Sequence, residues 1–397
     1  MEEAQMSLLF SSLLCLNGSI VGTKSEKSLS LHKMNSMGKG KVLMAMSGGI
    51  DSTMSAILLQ EQGYDLVGVT YRTWDSMKES CIAKEKGCCT IDAIMEAKRM
   101  AQSLGFEHHI IDFREQFYES VIRNFIDEYM DGRTPNPCVL CNATIKWGKL
   151  LEVADQFGCD YIATGHYAQI REENGHHYLS AAVDTCKDQT YFLWRIKEEF
   201  LARTIFPLGQ YTKEEVRRMA KERGYEKLST KTESQEICFI PNDDYRDFLK
   251  KNVEDFDQKC VPGSFVDMQG RKIGTHQGFQ NYTIGQRKGL RVAFGDPRYV
   301  AGINAKKNIV KLGERDDLYT STLRAVDCQF TDLEALLANP KLDVRIRYKS
   351  PATSATIETD GKKMKLTFDE PVWGVAPGQS VVLYQDGKVV GGGVVKK

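Results

Sequence analysis

Two cysteines stand three positions apart in RTPNPCVLCN, residues 133–142, behind a pair of prolines. Taken alone, Cys138 and Cys141 could be half of a zinc site, a redox dithiol, cluster ligands, or a nucleophile with a neighbour. The chain carries 11 cysteines, an odd number scattered over 397 residues. A disulfide scaffold is short and cysteine-dense, so this usage points to a reducing cytosol, where a close pair is chemical rather than structural. Three more, Cys81, Cys88 and Cys89, crowd one stretch before a helix and read as incidental. His108-His109 and His176-His177 are neighbours whose side chains leave a strand on opposite sides, a poor arrangement for a metal.

The second candidate for chemistry is AMSGGIDS, residues 45–52. Glycines let backbone N–H groups approach phosphate oxygens, so Gly48, Gly49 and Ile50 can cradle an anion, with Ser47 and Ser52 adding hydroxyls. A helix N-terminus behind the loop favours negative charge. No Gly-Lys-Ser/Thr closes the loop, so it is not a Walker A motif. Asp51 is an acid suited to orienting magnesium pyrophosphate. The S-G-G-x-D-S pattern after a first strand resembles the loop of ATP pyrophosphatases, which cleave ATP between the α and β phosphates to adenylate an oxygen. That resemblance names the activation and leaves the acceptor open.

Positioning such a loop requires a strand before it and a helix after it, and the sequence supplies both. KVLMAM (41–46) is a continuous apolar run, as in a strand buried on both faces. TMSAILLQEQG is a helical pattern closed by Gly63. The alternation continues through strands at 65–71, 107–113 and 160–166 and helices at 91–105, 114–130 and 144–158. Such units predict a doubly wound parallel sheet with ligands at its carboxyl strand ends. After about residue 240 the pattern changes. DVRIRYKS (343–350) alternates, and Asp360-Gly361 and Asp386-Gly387 mark hairpin turns of a C-terminal antiparallel β-barrel. The expected division is 1–37 an extension, 38–245 the ATP-binding unit, 246–312 a connecting domain and 313–397 the barrel.

Composition bounds the rest. Hydrophobic residues make up 42% and charged residues 27%, and 53 Lys+Arg balance 53 Asp+Glu, so the chain is an ordinary globular protein and not a polycation. Local clustering can still bind nucleic acid. No apolar run reaches the ~18 residues of a membrane span. The stretch MSLLFSSLLCLNGSI suggests a secretory signal, but Glu2 and Glu3 carry the wrong charge. Residues 1–37 are expected to be a disordered extension or to lie upstream of the true start at Met34 or Met37.

Seven further segments occur in one order with the loop: GRTPNPCVLCN, YIATGHYA, KDQTYFLW, ICFIP, TIGQRKGL, FDEPVWGVAPGQSVVLY and GGGVV. From about residue 40 to the C-terminus the chain resembles the bacterial tRNA-specific 2-thiouridylases, of the PP-loop, adenine nucleotide α-hydrolase-like group. The resemblance implies a cytoplasmic, monomeric enzyme that adenylates the wobble uridine of lysine, glutamate and glutamine tRNAs and inserts sulfur. ATP would be bound by Ala45, Met46, Ser47, Gly48, Gly49, Ile50, Asp51 and Ser52, with Tyr71 and Gly165. Cys141 matches the nucleophile, and Cys238 the cysteine whose persulfide, charged by an upstream sulfur carrier or cysteine desulfurase, reaches the uridine. A transient Cys141–Cys238 disulfide would release it. Asn136, Pro137 and Cys138 would meet the target base; His166, Lys187, Asp188, Gln189, Arg347, Tyr348 and Gln379 would contact tRNA. Arg345, Arg347 and Lys349 alternate, as a phosphate-facing strand would. Cys138 replaces the aspartate of the usual N-P-D-x-x-C-N. Either it is harmless, or Cys138, Cys141 and Cys238 hold a [4Fe-4S] cluster whose free iron carries sulfide. A different adenylating ligase using an amine, and a redox-sensing ATP- and RNA-binding module, are the rival readings.

Overall fold

The computed structural model describes residues 38–74, 91–230, 237–240, 244–290 and 296–396. Residues 1–37 and the cysteines at 81, 88 and 89 lie outside the described residues.

The first strand, β1 (Lys41–Ala45), lies between β2 (Asp65–Arg72) and β4 (Tyr161–Ala163); β3 (Glu107–Asp112) flanks β2, and β7 (Thr204–Ile205) flanks β4. All four pairings are parallel. The alternation of KVLMA explains why both faces are covered. Val42 and Met44 pack with Ala56 and Leu59 of α1 (Ile50–Glu61) and Ala97 and Ala101 of α2 (Ile91–Ser103). Leu43 faces the other way, into a core holding Phe117, Phe125, Trp147 and Leu150. A sheet sandwiched this way needs apolar residues on both faces of its central strand. α1 ends in the glycine position the sequence marks, with Gly63 at φ +88°.

The helix expected at 144–158 starts earlier. Asn136 caps α3 (Pro137–Cys141), accepting from the Val139 N–H at 3.4 Å, with Pro137 in the first turn. Proline fits there because its missing N–H would have no helical partner. A π-helical stretch, Asn142–Trp147, then leads into α4 (Leu150–Gln156). The cysteine pair thus belongs to a helix, not to the loop before it.

A hairpin of β5 (Gln169–Glu173) and β6 (His176–Ser180) follows the sheet strand β4. Gly263–Val266 (β8), Lys272–His276 (β9), Tyr299–Asn304 (β10) and Ile309–Gly313 (β11) form a separate sheet in the order β10-β11-β8-β9 around Phe265, Val300 and Leu312. The C-terminal strands are β12 (Tyr319–Phe330), β13 (Lys341–Arg345), β14 (Thr353–Thr359), β15 (Met364–Trp373), β16 (Ser380–Gln385) and β17 (Lys388–Lys396). They run β12-β15-β14-β13-β16-β17 and close through β12–β17, an antiparallel barrel among the described residues. Asp386 and Gly387 both take positive φ, as the tight β16–β17 turn requires.

The barrel is not a separate bead. Strand β6 pairs with β17, Leu179 opposite Val389. The Trp194 indole donates to Ser380 Oγ at 3.0 Å, and the Tyr191 hydroxyl donates to the Ser380 carbonyl at 2.9 Å. Gly392 lets the indole lie on β17; a Cβ there would stand 2.5 Å from the Trp194 ring. No helix among the described residues is long and apolar enough to cross a membrane.

The expectation for DVRIRYKS is corrected. Strand β13 stops at Arg345 because Ser350 turns the chain: its N–H donates to the Arg347 carbonyl at 3.2 Å, and its hydroxyl accepts from Arg347 N–H at 3.3 Å. Arg345, Arg347 and Lys349 therefore do not line one face of a strand.

Candidate active site

The order β3-β2-β1-β4-β7 reverses direction between β1 and β4, and loops diverge there at the carboxyl ends. The loop after β1 occupies that point. Ser52 Oγ donates to the Gly49 carbonyl at 3.1 Å and accepts from the Ser47 N–H at 3.2 Å, folding 47–52 on itself. Gly48 has φ +68°, and a Cβ on it would meet the Ala93 carbonyl at 2.4 Å, so no other residue fits. No side chain caps the start of α1, whose N-cap is Gly49. Such an end favours an anion. Gly165, after β4, abuts this loop: a Cβ would lie 2.9 Å from Asp51 C and Ser52 N. Ala45 and Met46 lead into the loop, the Met46 N–H bonded to the Val69 carbonyl at 2.7 Å. The structure thus gathers residues 45–52 and Gly165.

Sequence reasoning missed Lys213, at the start of α5 (Lys213–Glu222). Its ammonium donates to both Asp51 oxygens, at 2.7 and 2.8 Å, and the Tyr167 hydroxyl donates to Asp51 Oδ1 at 2.9 Å. The Lys213 side chain is 8% exposed and Asp51 31%. The signal that could have found it is a lysine inside TKEE, where Thr212 and Glu215 make a capping box and fix the first helical residue in space.

Tyr71, at the carboxyl end of β2, and Cys141 are electrostatic neighbours. Burial pushes the Tyr71 phenol well above its usual range, and the Cys141 sulfur adds to the rise. The residue expected at ATP and the expected nucleophile therefore share one corner. Around Cys138, burial pushes the thiol up and the Lys146 charge opposes it. His166 is held neutral by burial, reinforced by Lys146. Its Nδ1 lies 2.7 Å from Thr164 Oγ1, and its ring rests against Trp147. Lys146, on the π stretch, thus links Cys138 and His166 and is the second residue missed. π segments recur at functional sites because they re-aim side chains that an α-helix would carry elsewhere.

Cys238 is exposed, yet its neighbours are not. Phe239 and Ile240 are buried in the aromatic core against Phe117, Phe125 and Phe248. The apolar pair anchors a thiol that remains in solvent. Cys141 packs at the margin of the same core.

The residues expected at tRNA divide. The Asp188 carboxylate is buried, accepting from Thr190 Oγ1 at 2.9 Å and pairing with Arg345 at 3.3 Å. Gln189 Oε1 accepts from the Tyr167 N–H at 2.8 Å. Arg347 donates to the carbonyls of Trp373 and Gly374 and lies over the Trp373 ring. The Tyr348 ring lies against Phe192, centroids 4.4 Å apart and tilted by 43°. Lys187 is half-buried beside them, its N–H bonded to the Asp184 carbonyl at 3.1 Å. Gln379 reaches from the barrel to the cysteine loop, donating to the Thr134 and Pro135 carbonyls at 3.0 and 3.1 Å. Asp188, Tyr348 and Gln379 thus join the barrel to the α/β unit, while the Lys187 N–H, Gln189 Oε1 and the Arg347 guanidinium bond within their own units.

Among the described residues no group of three or more His, Cys, Asp or Glu side chains could hold a metal ion, with Cys138, Cys141 and Cys238 all included. Burial also disfavours the Cys138 thiolate. The cluster expectation does not fit this arrangement.

Family models match three consecutive stretches: the tRNA methyl transferase HUP domain over 40–242, the tRNA methyl transferase PRC-barrel domain over 246–314, and the aminomethyltransferase beta-barrel domain over 320–395. The tRNA-specific 2-thiouridylase MnmA of Amoebophilus asiaticus (strain 5a2) is 49% identical over 367 residues, 91% of this chain and 96% of its own length. The chain belongs to the tRNA-specific 2-thiouridylase family. The 2-thiouridylase MnmA of Cytophaga hutchinsonii is 47% identical over 359 residues, 90% of this chain and 98% of its own. Among solved structures, NMN synthetase from Francisella tularensis aligns with this chain at TM-score 0.33 and 17% identity, covering 50% of this chain and 67% of that one.

Proposed function

We propose that the chain is a tRNA uridine 2-sulfurtransferase that uses ATP to activate the wobble uridine of lysine, glutamate and glutamine tRNAs and forms 2-thiouridine, AMP and pyrophosphate. One observation carries the reading: the phosphate-ready loop 45–52 follows β1, and Tyr71, at the carboxyl end of the adjacent β2, packs on the same core as Cys141 and feels its charge.

The uridine C2 oxygen attacks the α phosphorus, and the bond to the β phosphate breaks. Gly48, Gly49, Ile50 and the start of α1 favour the charge on the departing pyrophosphate. Magnesium ordinarily takes one or two carboxylates plus phosphate oxygens, which suits a site offering Asp51; it would neutralise charge there. Lys213, now on Asp51, is within reach of the same charge. Asn136, Pro137 and Cys138 border the base, with the Cys138 thiol kept neutral by burial.

Cys238 accepts sulfur from a carrier or cysteine desulfurase, and its exposure suits delivery by another protein. The terminal persulfide sulfur attacks C2, and AMP departs with the former C2 oxygen. The Cys141 thiolate then attacks Cys238 Sγ; the S–S bond breaks and the outer sulfur stays on C2 as the thione. A Cys141–Cys238 disulfide remains, and a thiol reductant returns two electrons to reset it. A persulfide needs no group of metal ligands, and among the described residues there is none. The reading places the work in the cytosol, in a monomer, with residues 38–245 carrying the chemistry, 246–312 connecting, and 313–397 bracing the cysteine loop.

The test is an assay with ATP, a glutamate tRNA transcript and a persulfide donor. AMP and 2-thiouridine should form in equal amounts, and Cys238→Ser should abolish the thionucleoside. Persistent product in Cys238→Ser, with nitrogen rather than sulfur on C2, would place the chain with amine-using ligases.

A further inference from the structure

The barrel carries a basic row that no single strand displays. Lys365 of β15 stands opposite Arg324 of β12, and Arg324 stands opposite Lys396 of β17. Residues opposite one another in antiparallel strands project from the same face, so three cations line up across three adjacent strands. Strands lie about 4.8 Å apart, giving the row a length of about 10 Å. Lys363, in the β14–β15 hairpin, extends it, and these four cations, with Glu358 and Asp360, border an open cleft of about 580 Å³.

Two charges of the row, Arg324 and Lys396, are not used internally, whereas Lys365 is partly neutralised. Glu358, next in the row, pairs with Lys365 at 3.1 Å. Among the described residues Arg324 and Lys396 form no salt bridge and are exposed, while Lys363 stands beside the Asp360 carboxylate, which accepts from its main-chain N–H at 2.7 Å. Like charges directly opposite one another destabilise a sheet. A row that folding does not need, and that folding opposes, suits a polyanion that covers it.

Its position selects the polyanion. Val395 exchanges main-chain bonds with the Gly378–Gln379 turn, Gly378 N–H to Val395 O at 3.0 Å and Val395 N–H to Gln379 O at 2.8 Å. Gln379 in turn holds Thr134 and Pro135, just ahead of the target-base residues. Lys396 is the next residue after Val395, so the row begins at the barrel corner that touches the cysteine loop. Arg345 and Arg347, by contrast, are engaged by Asp188 and by main-chain carbonyls.

The geometry points to a phosphate-backbone site for the tRNA substrate on the outer face of the barrel, formed by Lys365, Arg324 and Lys396, away from the modified base. This rests on the tRNA reading above. Contacts to phosphates position a nucleic acid without reading its sequence and make affinity depend on salt.

The experiment compares wild-type chain with the double variant Arg324→Gln, Lys396→Gln in filter binding of a glutamate tRNA transcript between 50 and 200 mM salt. Loss of two phosphate contacts should flatten the slope of log K against log salt by about 1.4 to 1.8. The Kd should rise about tenfold near 100 mM, while kcat at saturating tRNA and the KM for ATP stay as in wild type. The thermal midpoint should hold or rise, because repulsion in the row is relieved. An unchanged slope and Kd in a folded variant would overturn the site and leave the tRNA reading standing. Failure of the wild-type chain itself to bind tRNA would overturn both.

Discussion

Gln379 ties the barrel to the cysteine loop, and its removal should be felt at a distance. In Gln379→Ala the amide that donates to the Thr134 and Pro135 carbonyls is lost, leaving the Thr134 N–H to Pro377 O bond of 2.8 Å. One hydrogen bond contributes about 0.5–1.5 kcal/mol net, so two sharing an amide come to about 1–2 kcal/mol. That much local free energy is about a tenfold change in an opening equilibrium. Amide hydrogen exchange in Cys138–Cys141, measured without RNA, should therefore lose about tenfold protection. Thiolation kcat/KM should fall by a similar factor, while the KM for ATP does not move. Gln379→Glu should be worse, since a carboxylate would face two carbonyl oxygens. The reasoning is refuted if exchange is unchanged in Gln379→Ala and only tRNA affinity falls, for then the side chain acts on RNA alone.

Lys213→Met removes a buried ammonium from a carboxylate that is about a third exposed; breaking such a pair should destabilise by about 1–3 kcal/mol, below the fully buried case. Its KM for ATP should rise at least about tenfold with tRNA affinity unchanged, and an unaltered KM would remove Lys213 from the site. Gly165→Ala places a methyl 2.9 Å from main-chain atoms of Asp51 and Ser52, which cannot rotate away, so calorimetry should detect loss of ATP binding in a chain destabilised by about 1–3 kcal/mol. His108, bonded to Thr70 Oγ1, has its pKa lowered from 6.5 to about 4 by burial, with His109 and Lys98 adding to it. The unfolded chain then takes up the proton first, so this stability is complete above pH 6.5 and is lost as pH falls through 4. It amounts to about 3 kcal/mol at most. Urea midpoints of His108→Gln should fall less than those of wild type across that window, and parallel curves would contradict the assignment.

The parallel sheet was legible because its central strand must be apolar on both faces, and KVLMA is. The hairpin turns were legible because Asp386 and Gly387 are residues that tolerate positive φ. The length of β13 was not. Alternation in DVRIRYKS satisfies a strand pattern, but the decision lies with the Ser350 hydroxyl and a main-chain turn, which periodicity does not register. The start of α3 at Pro137 was readable from Asn-Pro as cap and first turn, yet the helix was expected only from residue 144. At the site, the phosphate loop could be read because glycines and an acid follow a buried strand at fixed spacing. Lys146 could not, and the capping box around Lys213 gives its place at a helix start but not its partner, since Asp51, Cys138 and His166 are brought to these lysines only by the fold. The basic row on the barrel needs strand register, because Arg324, Lys365 and Lys396 are separated by tens of residues and carry no pattern along the chain.

The claim on which the mechanism turns is that Cys141 releases sulfur from Cys238. The direct measurement is non-reducing peptide mass spectrometry after a single turnover with persulfide-loaded enzyme, ATP and tRNA, quenched in acid with an alkylating agent. The account predicts a peptide joining Cys141 to Cys238 in a one-to-one ratio with 2-thiouridine, absent when ATP is withheld. Stoichiometric 2-thiouridine with both thiols recovered alkylated would contradict it.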